Sequence, residues 1–189
     1  MKIHTDIENL PVMRNPVVTV GSFDGVHLGH RQILTYVKDA AQRLGGESVV
    51  ITFHPHPQQV LHPERDFSLI CTPEENMRLI ENEGIDHLVI LPFTHQLAQT
   101  SFQDFLNMLI QKIAPRAIVM GPNHNFGHNR EGNSSSMREI CENYSIEIIQ
   151  IPEFIFEENK VRSSKIREHI KNKEFTKAET LLGHPYKKN

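Results

Sequence analysis

The sequence predicts an α/β fold, an open, mostly parallel sheet with helices on both faces. Short apolar runs of strand length alternate with longer segments whose apolar residues recur at helical spacing. Each run feeds a loop before the next helical pattern, as strand–helix crossovers require. The first run, Val17-Val18-Thr19-Val20, is β-branched and apolar, which suits a strand buried on both faces. The helix after it carries its apolar stripe at Ile33, Leu34, Val37, Ala41 and Leu44. Ser48-Val49-Val50-Ile51 is a second strand pattern, and Thr52-Phe53-His54-Pro55-His56-Pro57 follows it. Thr72 caps the next helix, with Pro73 at its first position and Glu75 completing a capping box; it runs to Glu83 and Gly84 stops it. His87 to Leu91 is a strand, ended by Pro92-Phe93. Ser101 and Asp104 open a helix with Phe102, Phe105, Leu106, Leu109 and Ile113 on one face, and Pro115 stops it. Strands over 117–120 and 146–151 flank a helix over 134–144. A helix over 163–171, capped by Ser163 or Ser164, and a shorter one over 174–182 closed by Gly183 complete the pattern.

The bounding quantities agree with a single domain over residues 1–189. A domain of this size buries roughly 70% of the surface its unfolded chain exposes, so no metal or disulfide staple is needed. The net charge of −3 and the absence of a clustered basic face argue against a nucleic-acid partner; Lys187-Lys188 is ordinary surface. Cys71 and Cys141, without CxxC spacing, fit a reducing compartment. No apolar stretch reads as a signal peptide or membrane span, so a cytoplasmic location without membrane attachment is expected. The oligomeric state is left open.

Residues 21–30 read Gly21-Ser22-Phe23-Asp24-Gly25-Val26-His27-Leu28-Gly29-His30, between a buried strand and a helix. Gly21 and Gly25 supply the freedom for a sharp turn and let an anion approach the main chain. The first N–H groups of the helix have no intrahelical partner and favour an anion there. His27 and His30 are three apart, which places both imidazoles on one side of a first turn. Each can donate a hydrogen bond to a phosphate oxygen, and either can carry a proton near neutral pH. Ligands of open parallel sheets bind outside the carboxyl ends of the strands, so this segment and the loops after the later strands converge on one cleft.

His27-Leu28-Gly29-His30 resembles the H-x-G-H mark of a nucleotidyltransferase superfamily, and the longer G-x-F-D-G-x-H-x-G-H string is similar to that of bacterial FAD synthetases, in the module that adenylylates FMN. Thr52-Phe53-His54-Pro55-His56-Pro57 resembles the family's T-F-x-P-H-P segment. Gly121-Pro122-Asn123-His124-Asn125-Phe126-Gly127, with Arg130 and Gly132, resembles its glycine, Asp/Asn, Phe-Gly and Arg segment, with His124 where Phe is usual. Val161-Arg162-Ser163-Ser164-Lys165-Ile166-Arg167 resembles the second superfamily signature, I-S-S-T-x-I-R, with Arg162 in place of Ser and Ser164 in place of Thr.

The resemblance implies a Rossmann-like nucleotidyltransferase fold and an FMN adenylyltransferase that transfers AMP from ATP to FMN, giving FAD and pyrophosphate. It implies that His27, His30, Ser164 and Arg167 are catalytic. ATP would meet Gly21, Ser22, Phe23, Asp24, Gly25, His27, Gly29, His30, Val161, Ser163, Ser164 and Arg167. FMN would meet Phe53, Pro55, His56, Pro57, Asn123, Asn125, Phe126 and Arg130, with Phe126 stacked on the ring system. Mg2+ is expected to travel with ATP on phosphate oxygens and water, with no protein cage. No riboflavin kinase module follows Leu181-Leu182-Gly183-His184-Pro185-Tyr186, so the expectation is either a monofunctional enzyme fed with FMN from elsewhere or a piece cut from a longer protein. The alternatives are a sibling nucleotidyltransferase with another phosphorylated acceptor, or a non-catalytic flavin- or nucleotide-binding protein.

Overall fold

The computed structural model describes residues 1–121, 134–152, 154–156 and 159–187. Strands β1 (Lys2–His4), β2 (Val17–Val20), β3 (Ser48–His54), β4 (His87–Pro92), β5 (Ala117–Met120) and β6 (Glu147–Gln150) form one sheet in the order β1-β4-β3-β2-β5-β6. Every described pairing in that sheet is parallel. The order runs outward from β2 in both directions, so β2 and β5 bound the point where the winding reverses, the place where open parallel sheets bind ligands.

Helices cover both faces, as the buried runs require. Ile33, Leu34, Val37, Ala40 and Ala41 of α1 (Leu28–Arg43) pack with Val17, Val50, Leu88 and Val119 on one face. Ile80 of α3 (Pro73–Asn82) joins the same cluster. On the other face Phe105, Leu109 and Ile113 of α5 (Phe102–Ile113) meet Val18, Val20, Val49, Ile51, Val89 and Leu91. Consecutive strand residues therefore serve opposite layers, the two-residue period of a pleated strand. Met137 and Cys141 of α6 (Ser134–Asn143) close a third cluster against Ile118 and Met120. Burying one such Leu or Ile contributes about 2 kcal/mol.

Several elements were not legible in the sequence. Besides β1, these are α2 (Pro57–Leu61), α4 (His95–Gln99) and a hairpin of β7 (Ile155–Phe156) and β8 (Asn159–Lys160). All are too short to show a period. β3 continues three residues past Ile51 because β4 extends beside it, pairing Thr52 with Ile90, Phe53 with Leu91 and His54 with Pro92. Thr72 caps α3 through Glu75 N–H at 3.2 Å, but the Glu75 carboxylate turns to Lys187 Nζ at 3.4 Å instead of completing a capping box.

The helices that close the site are α7 (Ser163–Lys171) and α8 (Phe175–Leu182). Ser163 and Ser164 do not cap α7: the cap position is Arg162, which makes no side-chain cap bond, and both serines lie within the first helical turn. Ile166, Ala178, Leu181 and Leu182 of these helices bury against Ile70 and Val161. Cys71 and Cys141 are both free and buried. No described helix is long and apolar enough to cross a membrane.

Candidate active site

The turn between β2 and α1 is strained. Phe23 (φ 47°), Gly25 (φ 76°) and Val26 (φ 36°) all lie in the left-handed region. Glycine adopts it freely, whereas Phe and β-branched Val each incur about 1–3 kcal/mol there, so the surroundings must hold them. Asn76 Oδ1 accepts from Gly25 N–H at 3.0 Å, and His184 Nε2 donates to the Gly25 carbonyl at 2.8 Å. Thr52 Oγ1 donates to the Ser22 carbonyl at 3.1 Å. Gly25 is also a steric requirement, since a Cβ there would stand 2.6 Å from Ile70 Cγ2.

The Asp24 carboxylate points inward and holds the site together. Its two oxygens accept from Ile70 N–H at 3.1 and 3.0 Å, and Oδ2 also accepts from Arg167 Nη2 at 2.5 Å. Asp24 thus fixes Arg167. The same guanidinium donates from Nε to the Ser68 carbonyl at 3.0 Å and lies 4.4 Å over the Phe67 ring.

His27 occupies the N-cap of α1. Its Nδ1 accepts from His30 N–H at 3.2 Å, which fixes the neutral tautomer with the proton on Nε2. Burial lowers its pKa to about 4, partly opposed by a backbone hydrogen bond and reinforced by Arg167. The expectation that either histidine can carry a proton near neutral pH therefore does not hold for His27, which keeps one N–H, at Nε2, and no charge. Its ring stacks on that of His30 with centroids 3.6 Å apart. A Cβ at Gly29 would stand 3.3 Å from the His27 ring and 3.7 Å from the Val161 carbonyl. The front of α1 therefore meets the segment leading into α7, and the two signatures, more than a hundred residues apart, share one side of the cleft.

His56 belongs to the same neighbourhood. It caps α2, Nδ1 accepting from Gln58 N–H at 3.1 Å, with Pro57 at the helix start and Pro55 following a cis peptide. Its ring stacks on Phe67 at 4.6 Å, so Phe67 touches both His56 and Arg167. Burial lowers the His56 pKa to about 4; Asp24 opposes the shift and Arg167 adds to it. A cavity of about 280 Å³ joins Ser22 and Asp24 to Thr52, Phe53, His54 and His56, with Leu69, Cys71, Asn76, Met77 and Ile80 opposite. A second, about 570 Å³, opens beside Arg167 between Phe67 and Tyr186.

Of the residues expected in the site, Gly21, Ser22, Phe23, Asp24, Gly25, His27, Gly29, His30, Val161 and Arg167 lie around this turn, and Phe53, His56 and Pro57 stand beside it. Ser163 and Ser164 open α7, Ser163 half-buried and Ser164 exposed. Asn123, His124, Asn125, Phe126 and Arg130 lie outside the described residues; Gly121, buried, marks where their segment leaves β5. Sequence reasoning missed Phe67, Asn76 and His184. Asn76 shares a helix face with Ile80, and a polar residue on that inward stripe was a readable signal. Phe67 sits in an irregular loop and carried none. Among the described residues, no group of three or more His, Cys, Asp or Glu is placed to hold a metal ion.

The family model for FAD synthetase matches residues 10–165. An FAD synthetase of Listeria monocytogenes is 33% identical over 177 residues, 92% of this chain and 70% of that protein. A bifunctional riboflavin kinase/FMN adenylyltransferase of Buchnera aphidicola is 30% identical over 98% of this chain, which spans 61% of its length. A crystal structure of a macrolide-efflux protein from Streptococcus pneumoniae superposes with a TM-score of 0.86 at 29% identity, covering 98% of this chain and 62% of that one. With its family match spanning both the glycine turn and the start of α7, the chain belongs to the FAD synthetase family.

Proposed function

We propose that this chain is an FMN adenylyltransferase, transferring AMP from ATP to FMN to give FAD and pyrophosphate. The observation that carries the reading is the meeting of the α1 front, with the neutral His27 Nε2–H, and the α7 segment, with Arg167 fixed by Asp24. A phosphate ester near pH 7 is already an anionic nucleophile, so its attack on the α-phosphorus needs no general base. An FMN phosphate oxygen bonds to that phosphorus as the bond to the β-phosphate oxygen breaks, and pyrophosphate leaves. Catalysis is then alignment and charge stabilisation. His27 and His30 donate to the phosphates as charge shifts through them. Ser163 and Ser164 offer hydroxyls and first-turn N–H groups, and Arg167 supplies fixed positive charge. Mg2+ enters with ATP, held by phosphate oxygens and water.

FMN occupies the side formed by Phe53, Pro55, His56 and Pro57, and Asn123, Asn125, Phe126 and Arg130 are the further FMN contacts that the family resemblance implies. The test is incubation of the purified chain with ATP, magnesium and either FMN or riboflavin, followed by chromatography of the flavins. FMN yields FAD and pyrophosphate, and riboflavin, lacking a phosphate to attack with, yields neither. Folded protein that forms no FAD at high FMN overturns the assignment.

A further inference from the structure

The two peptide groups flanking the Gly25 Cα are each gripped by a residue far along the chain. Asn76 Oδ1 takes the Gly25 N–H from 51 residues away, and His184 Nε2 reaches the Gly25 carbonyl from 159 residues away. A carbonyl only accepts, so Nε2 is the donor in the contact with Gly25, while Nδ1 of the same ring faces the Pro185 carbonyl at 3.0 Å. The segment that delivers His184 is itself fitted to α1. Gly183 sits at φ 73°, where a Cβ would stand 2.4 Å from Leu28 Cδ2, and Arg31 Nη1 donates to the Gly183 carbonyl at 3.4 Å. The gripped peptides lie between two non-glycine residues of positive φ, Phe23 and Val26. Such a turn relaxes unless its surroundings hold it.

We propose that His184 and Asn76 are positioning residues for nucleotide binding: together they hold the turn after β2 in the conformation that accepts ATP phosphates. The proposal rests on reading that turn as the ATP site. When either grip is lost, the competent fraction of the turn falls and the apparent ATP dissociation constant rises in inverse proportion. His184 lies outside the cavity that joins Phe53 and His56, so in the His184 variants the KM for FMN stays unchanged. A role confined to fold stability would move neither constant selectively.

The test is calorimetric titration of magnesium and a non-hydrolysable ATP analogue into the wild-type chain, His184→Ala, His184→Gln and Asn76→Ala, with thermal melts to establish folding and FMN KM from turnover. His184→Ala and Asn76→Ala each bind the analogue about three- to tenfold more weakly, the worth of one hydrogen bond. His184→Gln, whose amide N–H stands near the Nε2 position, stays within about twofold of wild type. Because the alanine variants release the two successive peptide groups that flank the Gly25 Cα, either suffices if the other does not fold. A folded alanine variant that binds as tightly as wild type, or a glutamine variant that loses as much as alanine, overturns the proposal alone. A wild-type chain that binds no ATP analogue overturns the reading of the turn and the proposal with it.

Discussion

Arg167 Nη2 donates to Asp24 Oδ2 at 2.5 Å, joining side chains 143 residues apart. Asp24 is the more buried partner, its side chain 4% exposed against 22% for Arg167. Arg167→Ala leaves that carboxylate buried without its counter-ion, and urea unfolding shows a loss of about 3 kcal/mol. Adding Asp24→Asn removes the stranded charge, so the double variant recovers part of the loss. A double variant whose destabilisation equals the sum of the two singles contradicts the pairing.

His27 Nδ1 accepts to cap α1, and the proposed mechanism gives Nε2 a second, separable task, donation to a phosphate. His27→Asn puts a carboxamide oxygen near the Nδ1 position and is a good N-cap, so the melting temperature stays near that of wild type. Its donor is gone, and FAD formation falls about 100-fold or more. His27→Ala loses both tasks and is about 1 kcal/mol less stable than the Asn variant. An Asn variant with full turnover contradicts the donor role.

Burial holds His27 at a pKa of about 4, and His56 likewise at about 4. Both folded-state values lie below the ordinary 6.5, so the unfolded chain takes up protons first as the pH falls. Stability from keeping these rings neutral is fully present above about pH 6.5 and is lost progressively towards pH 4, with His27 contributing about 3 kcal/mol. Denaturant midpoints measured across that range fall in the wild-type chain and fall less in His27→Asn. An equal pH dependence in both contradicts the assignment.

Two glycines of similar φ separate strain from crowding. At Gly25 (φ 76°) a Cβ would meet Ile70 Cγ2 at 2.6 Å and Leu182 Cδ2 at 3.2 Å, whereas at Gly84 (φ 77°) the nearest atom is Lys38 Cδ at 3.8 Å. Gly84→Ala costs about 1 kcal/mol and leaves ATP affinity intact. Gly25→Ala costs about 2–4 kcal/mol and weakens ATP binding. Thermal melts with and without ATP distinguish the two, and equal behaviour contradicts the close packing of the turn.

The layers were legible because β2, β3 and β5 are apolar runs whose neighbours alternate between two covering faces. α1 and α5 announced themselves by period and α3, α7 and α8 by the residues at their ends, and α2 and α4, at five residues each, did neither. In the site, glycines and histidines beside a strand end marked the turn, yet not what holds it. His27 reads as a chargeable imidazole until burial and the His30 N–H contact make it a neutral cap. Asp24 reads as a ligand contact until Ile70 and Arg167, brought in by tertiary packing, take up its oxygens. His184 and Arg167 meet the turn only through long-range folding, which no local pattern encodes.

The central claim is that the front of α1 and the start of α7 hold one triphosphate. A crystal structure with magnesium and a non-hydrolysable ATP analogue tests it most directly. The account predicts phosphate oxygens within about 3 Å of His27 Nε2, of the Ser163 or Ser164 first-turn groups and of an Arg167 N–H. A triphosphate that touches one segment while the other faces away from it contradicts the account.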